Sequence, residues 1–500
     1  MNKHKLSGLS LLLGMTSALL CLNSQGETMT LNEAICRALE HDPTIKKIYA
    51  DVMSAEGYSK EIRAERRPQL TLSSDAGYGY RSRSIGGLAT GGNDLFDRRA
   101  GLILEQLIWD NGFSCHKWKD AKCRQQAAVL LVRAQKESTV MGTVAAYLAV
   151  LKARKQIDLA RRNVASHQKF FSLARDRANG AGNAADVELS QARLNLAKSL
   201  LKERELDLNQ AEADFARFVC VKPPALCQPH VPTIRCIGDI DPTENFHYKA
   251  ALHQCKAAQL ANAAIRKSHG PQVLLRGTGS YGQDVLGIQG EDEEVSALVV
   301  MNWNLLEGGR RKGLEKKAEG DIAKQVAIVD ETKVLLNRDI KARWADYSTL
   351  GERIAILENY TRGLGETVGL YQQQFELDSR PLLGVLDIEN EKISSEMRLV
   401  DERYEREVNA YRLLFFGGKI TCATVGEEHL CRDVCISLDC PGTDCLNCMP
   451  SCEVKKISGP SVSIQATVVA TPVEEEAKKK TFKLFQGIGK GNSSGKKRSH

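Results

Sequence analysis

Residues 112–219 run for over a hundred positions without a proline, and a chain that keeps helical periodicity for that long cannot be packed into one compact globular domain. The run is broken once, at Asn179-Gly180-Ala181-Gly182-Asn183, where glycine on both sides of a small residue permits a reversal. Two arms result. On the returning arm Val187, Leu194, Leu201, Leu208 and Phe215 recur every seventh residue, which keeps an apolar seam on one side of a gently supercoiled helix. Ala127, Ala134, Met141 and Leu148, with Leu130, Val144 and Leu151 beside them, do the same on the outgoing arm. At roughly 1.5 Å per residue that arm alone is on the order of 100 Å long.

The pattern occurs twice. Arg67-Pro68-Gln69-Leu70 is answered by Gly270-Pro271-Gln272-Val273, and Trp109-Asp110-Asn111-Gly112 by Leu306-Glu307-Gly308-Gly309. Val187, Leu194, Leu201 and Phe215 meet Leu386, Ile393, Val400 and Leu414 in the same frame, while Leu208 meets the charged Glu407. The outgoing seam of the second hairpin reads Ile322, Val329, Leu336, Leu350 and Leu357. Repeat 1 covers about 29–219, a proline- and cysteine-bearing connector 220–242, and repeat 2 about 243–418.

Each long helix is preceded by alternation of period two. Leu70, Leu72, Ala76, Tyr78 and Tyr80 fall on one side, with Thr71, Ser73, Asp75, Gly77 and Gly79 on the other, and a second run covers about 100–108. In the second half Val295, Ala297, Val299, Met301, Trp303 and Leu305 share a face, opposite a run containing Val273, Leu275 and Tyr281. The intervening loop, 283–294, is acidic. Strands of ten or eleven residues suit a tilted crossing of a bilayer. Four strands leave two open edges, which hydrocarbon does not tolerate, so a barrel has to be shared between subunits. Two subunits supply eight strands, a number whose interior is filled by side chains; three supply twelve, enough for an aqueous lumen, and a trimer is the expectation.

The first residues set the compartment. Lys3, His4 and Lys5 precede an apolar run from Leu6 to Leu22, followed by Ser24-Gln25-Gly26, so residues 1–26 read as a cleaved signal peptide. Lipidation at Cys21 would want a small residue before it, where Leu20 stands. The net charge of +7 is spread in mixed sign along the helices and implies no nucleic acid. Removing the signal peptide takes Cys21 and leaves an even number of the fifteen cysteines, which in an exported chain favours disulfides. Candidates are Cys220, Cys227 and Cys236 in the connector, and Cys422, Cys431, Cys435, Cys440, Cys445, Cys448 and Cys452 in a cysteine-rich segment that opens a polar tail over 419–500. Cys440, Cys445, Cys448 and Cys452 could supply a four-sulfur zinc site, but a single CxxC is half the usual pattern, and disulfides are preferred.

Signal peptide, duplicated strand and helix hairpins, Trp-Asp-Asn-Gly and Leu-Glu-Gly-Gly joints, and Leu383-Gly384-Val385-Leu386-Asp387-Ile388-Glu389-Asn390 opening the last long helix together resemble the TolC-type outer-membrane efflux proteins. The resemblance covers about residues 29–418. It implies an α+β membrane protein, a homotrimer whose twelve strands form one barrel in outer-membrane lipid and whose helices form an α-barrel tunnel in the periplasm. A periplasmic adaptor and an inner-membrane transporter would dock at the helical tips, presented here by Gly180, Gly182, Ala184, Ala185, Leu382 and Leu383. The family narrows its tunnel near the second tip with acidic side chains. Asp387 and Arg380 match its second aspartate and its arginine, while Gly384 stands where the first aspartate would be. A single ring of Asp387, with Glu376 and Asp378 nearby, would draw cations into the constriction; Arg380 is a candidate ion-pair latch. The competing reading is that acids here only favour a helix start at Pro381.

No catalytic constellation, metal or cofactor is implied. Gly277-Thr278-Gly279-Ser280-Tyr281-Gly282 fits GxGxxG, yet lies inside a strand rather than between strand and helix, where a phosphate would be held. The ten histidines are scattered.

Overall fold

The structure, a computed structural model, describes residues 28–79, 83–85, 88–90, 95–179, 183–285, 289–377 and 379–425. The expected signal peptide and six of the cysteine candidates, Cys431 to Cys452, lie outside them.

The chain opens with α1 (Leu31–His41) and α2 (Pro43–Ala64), separated at Asp42, whose carboxylate accepts the Thr44 amide and so caps α2. A hairpin of β1 (Gln69–Gly79) and β4 (Leu95–Trp109) follows, with the short pair β2 (Arg83–Ile85) and β3 (Leu88–Thr90) inside what the sequence reads as loop. Then come α3 (Phe113–Ala178) and α4 (Ala184–Val219). After the connector, α5 (Phe246–Lys267) leads to β5 (Gln272–Gln283), β6 (Glu291–Asn302), α6 (Arg310–Glu376) and α7 (Leu382–Phe416). A single-turn helix, α8 (Ile420–Thr424), closes the described chain.

The strands form one antiparallel sheet in the order β1-β4-β5-β6, leaving β1 and β6 as edges. Register places Leu70, Leu104, Gly277 and Ala297 in one row, Leu72, Leu102, Gly279 and Val295 in the next, and Ala100, Tyr281 and Glu293 beyond. This face is apolar and uncovered: Leu72 is 70% exposed, Tyr78 82% and Val295 92%. Intervening rows carry Ser73, Gly101, Ser280 and Glu294, or Asp75, Arg99, Gly282 and Asp292. Within them Glu105 and Arg276 pair at 2.7 Å, and Thr278 hydrogen-bonds Ser296. The GxGxxG run falls wholly within β5, where Gly282 is needed because a Cβ there would meet Val285 at 2.3 Å. One expectation is corrected: Glu291, Asp292, Glu293 and Glu294 belong to β6 rather than to the loop, since they complete the ladder opposite residues 280–283. The strand accordingly ends at Asn302, and Leu305 and Leu306 lie beyond it, exposed.

Both strand-to-helix joints turn through two consecutive left-handed residues, Asn111 (φ 56°) and Gly112 (φ 84°), then Gly308 (φ 56°) and Gly309 (φ 87°). Only glycine and, at some cost, asparagine enter that region readily. Asp110 finishes the first joint by accepting the Gly112 and Ser114 amides at 3.1 and 2.7 Å. Glu307, one methylene longer, points instead to His269 Nδ1 at 3.3 Å.

The main core gathers around the middle of α3, where Val140, Val144, Tyr147 and Leu148 pack with Ile35 of α1 and Phe215 of α4. The Tyr147 hydroxyl lies 2.9 Å from the Met29 carbonyl and 2.6 Å from that of Cys227, and burial pushes its pKa up to about 12. Arg154 donates to the carbonyls of Pro223 and Pro224. These bonds, with the Met29–Leu226 bridge, hold the connector. Cys220, Cys227 and Cys236 carry free thiols, so disulfides among them do not staple it; Cys220 is exposed at the left-handed C-cap of α4. Cys422 sits half-buried on α8.

The folded body also runs past residue 418. Ile420 is fully buried in the main core, and its amide and that of Thr421 donate to the carboxylate of Glu137 at 3.0 and 3.2 Å. Burial pushes the Glu137 carboxyl above the usual carboxylate range, partly offset by these bonds.

Candidate functional site at the second helical tip

The second tip is built on a small apolar cluster. Phe170 and Ala174 of α3, Phe375 of α6, and Leu382, Val385 and Leu386 of α7 are buried together, flanked by Tyr371, Leu173, Val187 and Leu189. The heptad seam puts Leu386 inward, and that fixes Asp387 on the flank of α7. There the Asp387 carboxylate meets Arg193 of α4 at 2.7 Å, with side chains 54% and 28% exposed. One more residue pair faces α3: Glu389, 9% exposed, accepts from the Ser166 hydroxyl at 2.7 Å. The start of α7 is thus bonded to both helices of the first hairpin.

The turn itself is compact. The Ser379 amide and hydroxyl both donate to the Gln374 carbonyl at 2.9 Å, and Pro381 stands outside the first turn of α7 as its N-cap. Arg380 lies 3.5 Å above the centre of the Tyr371 ring and donates from Nε to Gln374 at 2.8 Å. The expected ion-pair latch is therefore replaced, within this chain, by a cation–π contact inside the α6–α7 hairpin. Gly384 makes room for it, because a Cβ there would sit 3.3 Å from Arg380 Nη1. Arg177 of α3 behaves alike, stacking 4.0 Å over Phe375 and donating to its carbonyl.

Of the tip residues expected to be presented outward, Ala184, Ala185 and Leu383 are exposed. Leu382 is not: at 1% exposure it is a core residue of the tip cluster, since the i, i+3, i+4 spacing of Leu382, Val385 and Leu386 aims all three inward. Glu376 is exposed, and Gly180, Gly182 and Asp378 lie outside the described residues. Sequence reasoning passed over Arg193, Arg177, Ser166 and Glu389. Arg193 precedes the seam residue Leu194 and so flanks the seam, a signal that such a charge faces a neighbouring helix without saying which one. Among the described residues no cluster of three or more His, Cys, Asp or Glu could hold a metal, and no helix is long and apolar enough to cross a membrane.

Residues 34–217 match the family described as outer membrane efflux protein. The chain is 22% identical over 422 residues to the outer membrane efflux protein BepC of Brucella suis, covering 80% of this chain and 89% of that one. It is 23% identical to the alkaline protease secretion protein AprF of Pseudomonas aeruginosa, covering 85% and 93%. Among solved structures, the outer membrane protein VceC of Vibrio cholerae superposes with a TM-score of 0.68 at 19% identity, covering 79% of this chain and 96% of that chain.

Proposed function

We propose that this chain, whose residues 34–217 match the outer membrane efflux protein family, forms one third of a trimeric exit duct, closing a shared barrel in the outer membrane above a periplasmic helical tunnel. Its function is that of an outer-membrane efflux or secretion channel; it is a transport protein, with no chemistry asked of it. The observation that carries the trimeric reading is the four-stranded sheet with two unpaired edges and an uncovered apolar face. Hydrocarbon does not tolerate the unpaired edges and water disfavours the apolar face, until neighbouring sheets pair the edges and lipid covers the face. Three copies give twelve strands, with Leu72, Tyr78, Leu102, Val295 and Val299 toward lipid and the rows through Ser73, Asp75, Arg99 and Asp292 toward an aqueous lumen. Two strand-plus-helix hairpins per chain, each entered through a left-handed pair, make the subunit a twofold repeat.

At the far end, Asp387 and its two symmetry copies line the narrowest part of the tunnel, with Glu376 and Asp378 adding negative charge. Arg193 partly offsets each Asp387. The exposed Ala184, Ala185 and Leu383, with Gly180 and Gly182, offer small and apolar surface on which the tips of a periplasmic adaptor can seat. Energy for transport comes from the inner-membrane transporter that the adaptor recruits.

The test is electrical and biochemical together. Purified protein should run as a heat-modifiable trimer and conduct in planar bilayers; a monomer that neither fractionates with outer membranes nor conducts would overturn the duct.

A further inference from the structure

Between α3 and α7, within a helical turn of Asp387 along α7, lies a buried polar cluster that the duct does not explain. Asn163, Ser166 and His167 share one face of α3, being spaced i, i+3 and i+4. Opposite them stands Glu389. Asn163 is 3% exposed, His167 2% and Glu389 9%, yet Asn163 Oδ1, His167 Nδ1 and Glu389 Oε2 have no hydrogen-bond partner among the described residues. Lys392 Nζ comes no closer than 3.8 Å to Glu389 Oε2, too far for a hydrogen bond. Only the Ser166 hydroxyl satisfies the carboxylate, at its other oxygen. A cavity of about 70 Å³ adjoins the cluster on the side of Asn163 and Glu389, lined also by Arg162, Lys392, Ile393 and Glu396, and it has room for water.

The charges that face His167 come from two helices, Glu389 of α7 and Arg193 of α4, and they oppose one another. Burial is larger than either, and it holds the imidazole below the usual histidine value; Glu389 pulls the other way and Arg193 adds to the depression. A side chain kept neutral when packed takes up its proton more readily once unpacked, so the contact has its full strength above the ordinary imidazole range and loses it as pH falls through that range.

We propose that the Asn163–Ser166–His167–Glu389 cluster is an acid-released seat for the first turns of α7: protonation of His167 favours the state in which α7 has lifted from α3. Because α7 also carries Asp387, the seat positions the carboxylate of the constriction, and mild acid loosens it. The consequence for conduction rests on the duct reading, but the seat itself can be measured whether or not the protein conducts.

Hydrogen exchange of the purified full-length protein in detergent, corrected for the intrinsic pH dependence, tests it on peptides spanning 160–170 and 385–396. With an imidazole that titrates at about 6.5 when unseated and lower when seated, exchange should quicken by up to about tenfold between about pH 7.5 and about pH 5.5. The α6 segment 336–350 should not follow. His167→Asn should abolish the step and Glu389→Gln should keep it. Overturning results are an unchanged or slower rate in acid, an equal step in His167→Asn, an equal quickening at 336–350, or loss of the step in Glu389→Gln, which would assign the proton to the carboxyl. Should His167→Asn fail to fold, the local comparison in the unaltered chain and the Glu389→Gln variant still decide.

Discussion

Helices α3 and α6 are nearly the same length, 66 and 67 residues, and each follows a strand through the same left-handed joint. Their surroundings differ sharply. Twenty-six residues of α3 are buried, polar ones such as Glu137, Thr143 and His167 among them. On α6 only eight are, and Val334, Ile356, Tyr360 and Leu370 stand in solvent, Ile356 at 68% exposure. The first helix is packed by α1, α2, α4, α5, α7 and α8, the second chiefly by α5 and α7. Equal helices with unequal cover are what a subunit needs if its first half is to fold it and its second half is to join it to a copy.

That contrast can be broken most directly at Leu148, which is 1% exposed in the α3 core. Leu148→Ala should lower subunit stability by about 2–5 kcal/mol in denaturant unfolding, with or without assembly. A loss well under 1 kcal/mol would show that α3 is not the folding hub. On the other side of the comparison, Ile356→Asp should leave folding of the subunit within about 0.5 kcal/mol, because the side chain is exposed, and yet remove the heat-modifiable trimer band. Retention of the trimer would mean that this face of α6 is not covered by a neighbour. The smallest overall effect belongs to the tip, where assembly is untouched. Asp387→Ala opens a half-exposed ion pair with Arg193 and should cost about 0–1 kcal/mol, while changing cation block of the channel. Unaltered block and selectivity would take Asp387 out of the constriction.

How much of this was legible in the sequence depends on the range over which the physics acts. Heptads mark the seam because apolar spacing is local, and Leu194, Phe215, Leu386 and Ile393 are indeed buried. The joints were legible for the same reason, Asn-Gly and Gly-Gly being among the few pairs that enter the left-handed region twice in succession. Strand existence was legible and strand ends were not: the four acidic residues 291–294 look like loop, and only their partners on β5 make them strand. Leu382 follows a tight turn, a place that sequence alone assigns to the surface, and it is buried because Phe375 and Phe170 roof it from two other helices. Arg193 and Ser166 find their partners some two hundred positions away, on a helix whose rotation about its own axis no local pattern specifies. Cysteine counting could not show that Tyr147 and Arg154 hold the connector, because their partners are backbone carbonyls seventy or more positions away.

Glu137 has a consequence for how the polypeptide ends. A buried carboxylate that receives two amides from residues 420 and 421 cannot be left without them cheaply, so those amides are part of the subunit's interior as surely as Tyr147 is. Glu137 lies 24 residues into α3, roughly 36 Å along the helix from its strand joint at about 1.5 Å per residue. Residues 420 and 421 are therefore held partway along α3 by a carboxylate from the first half of the chain.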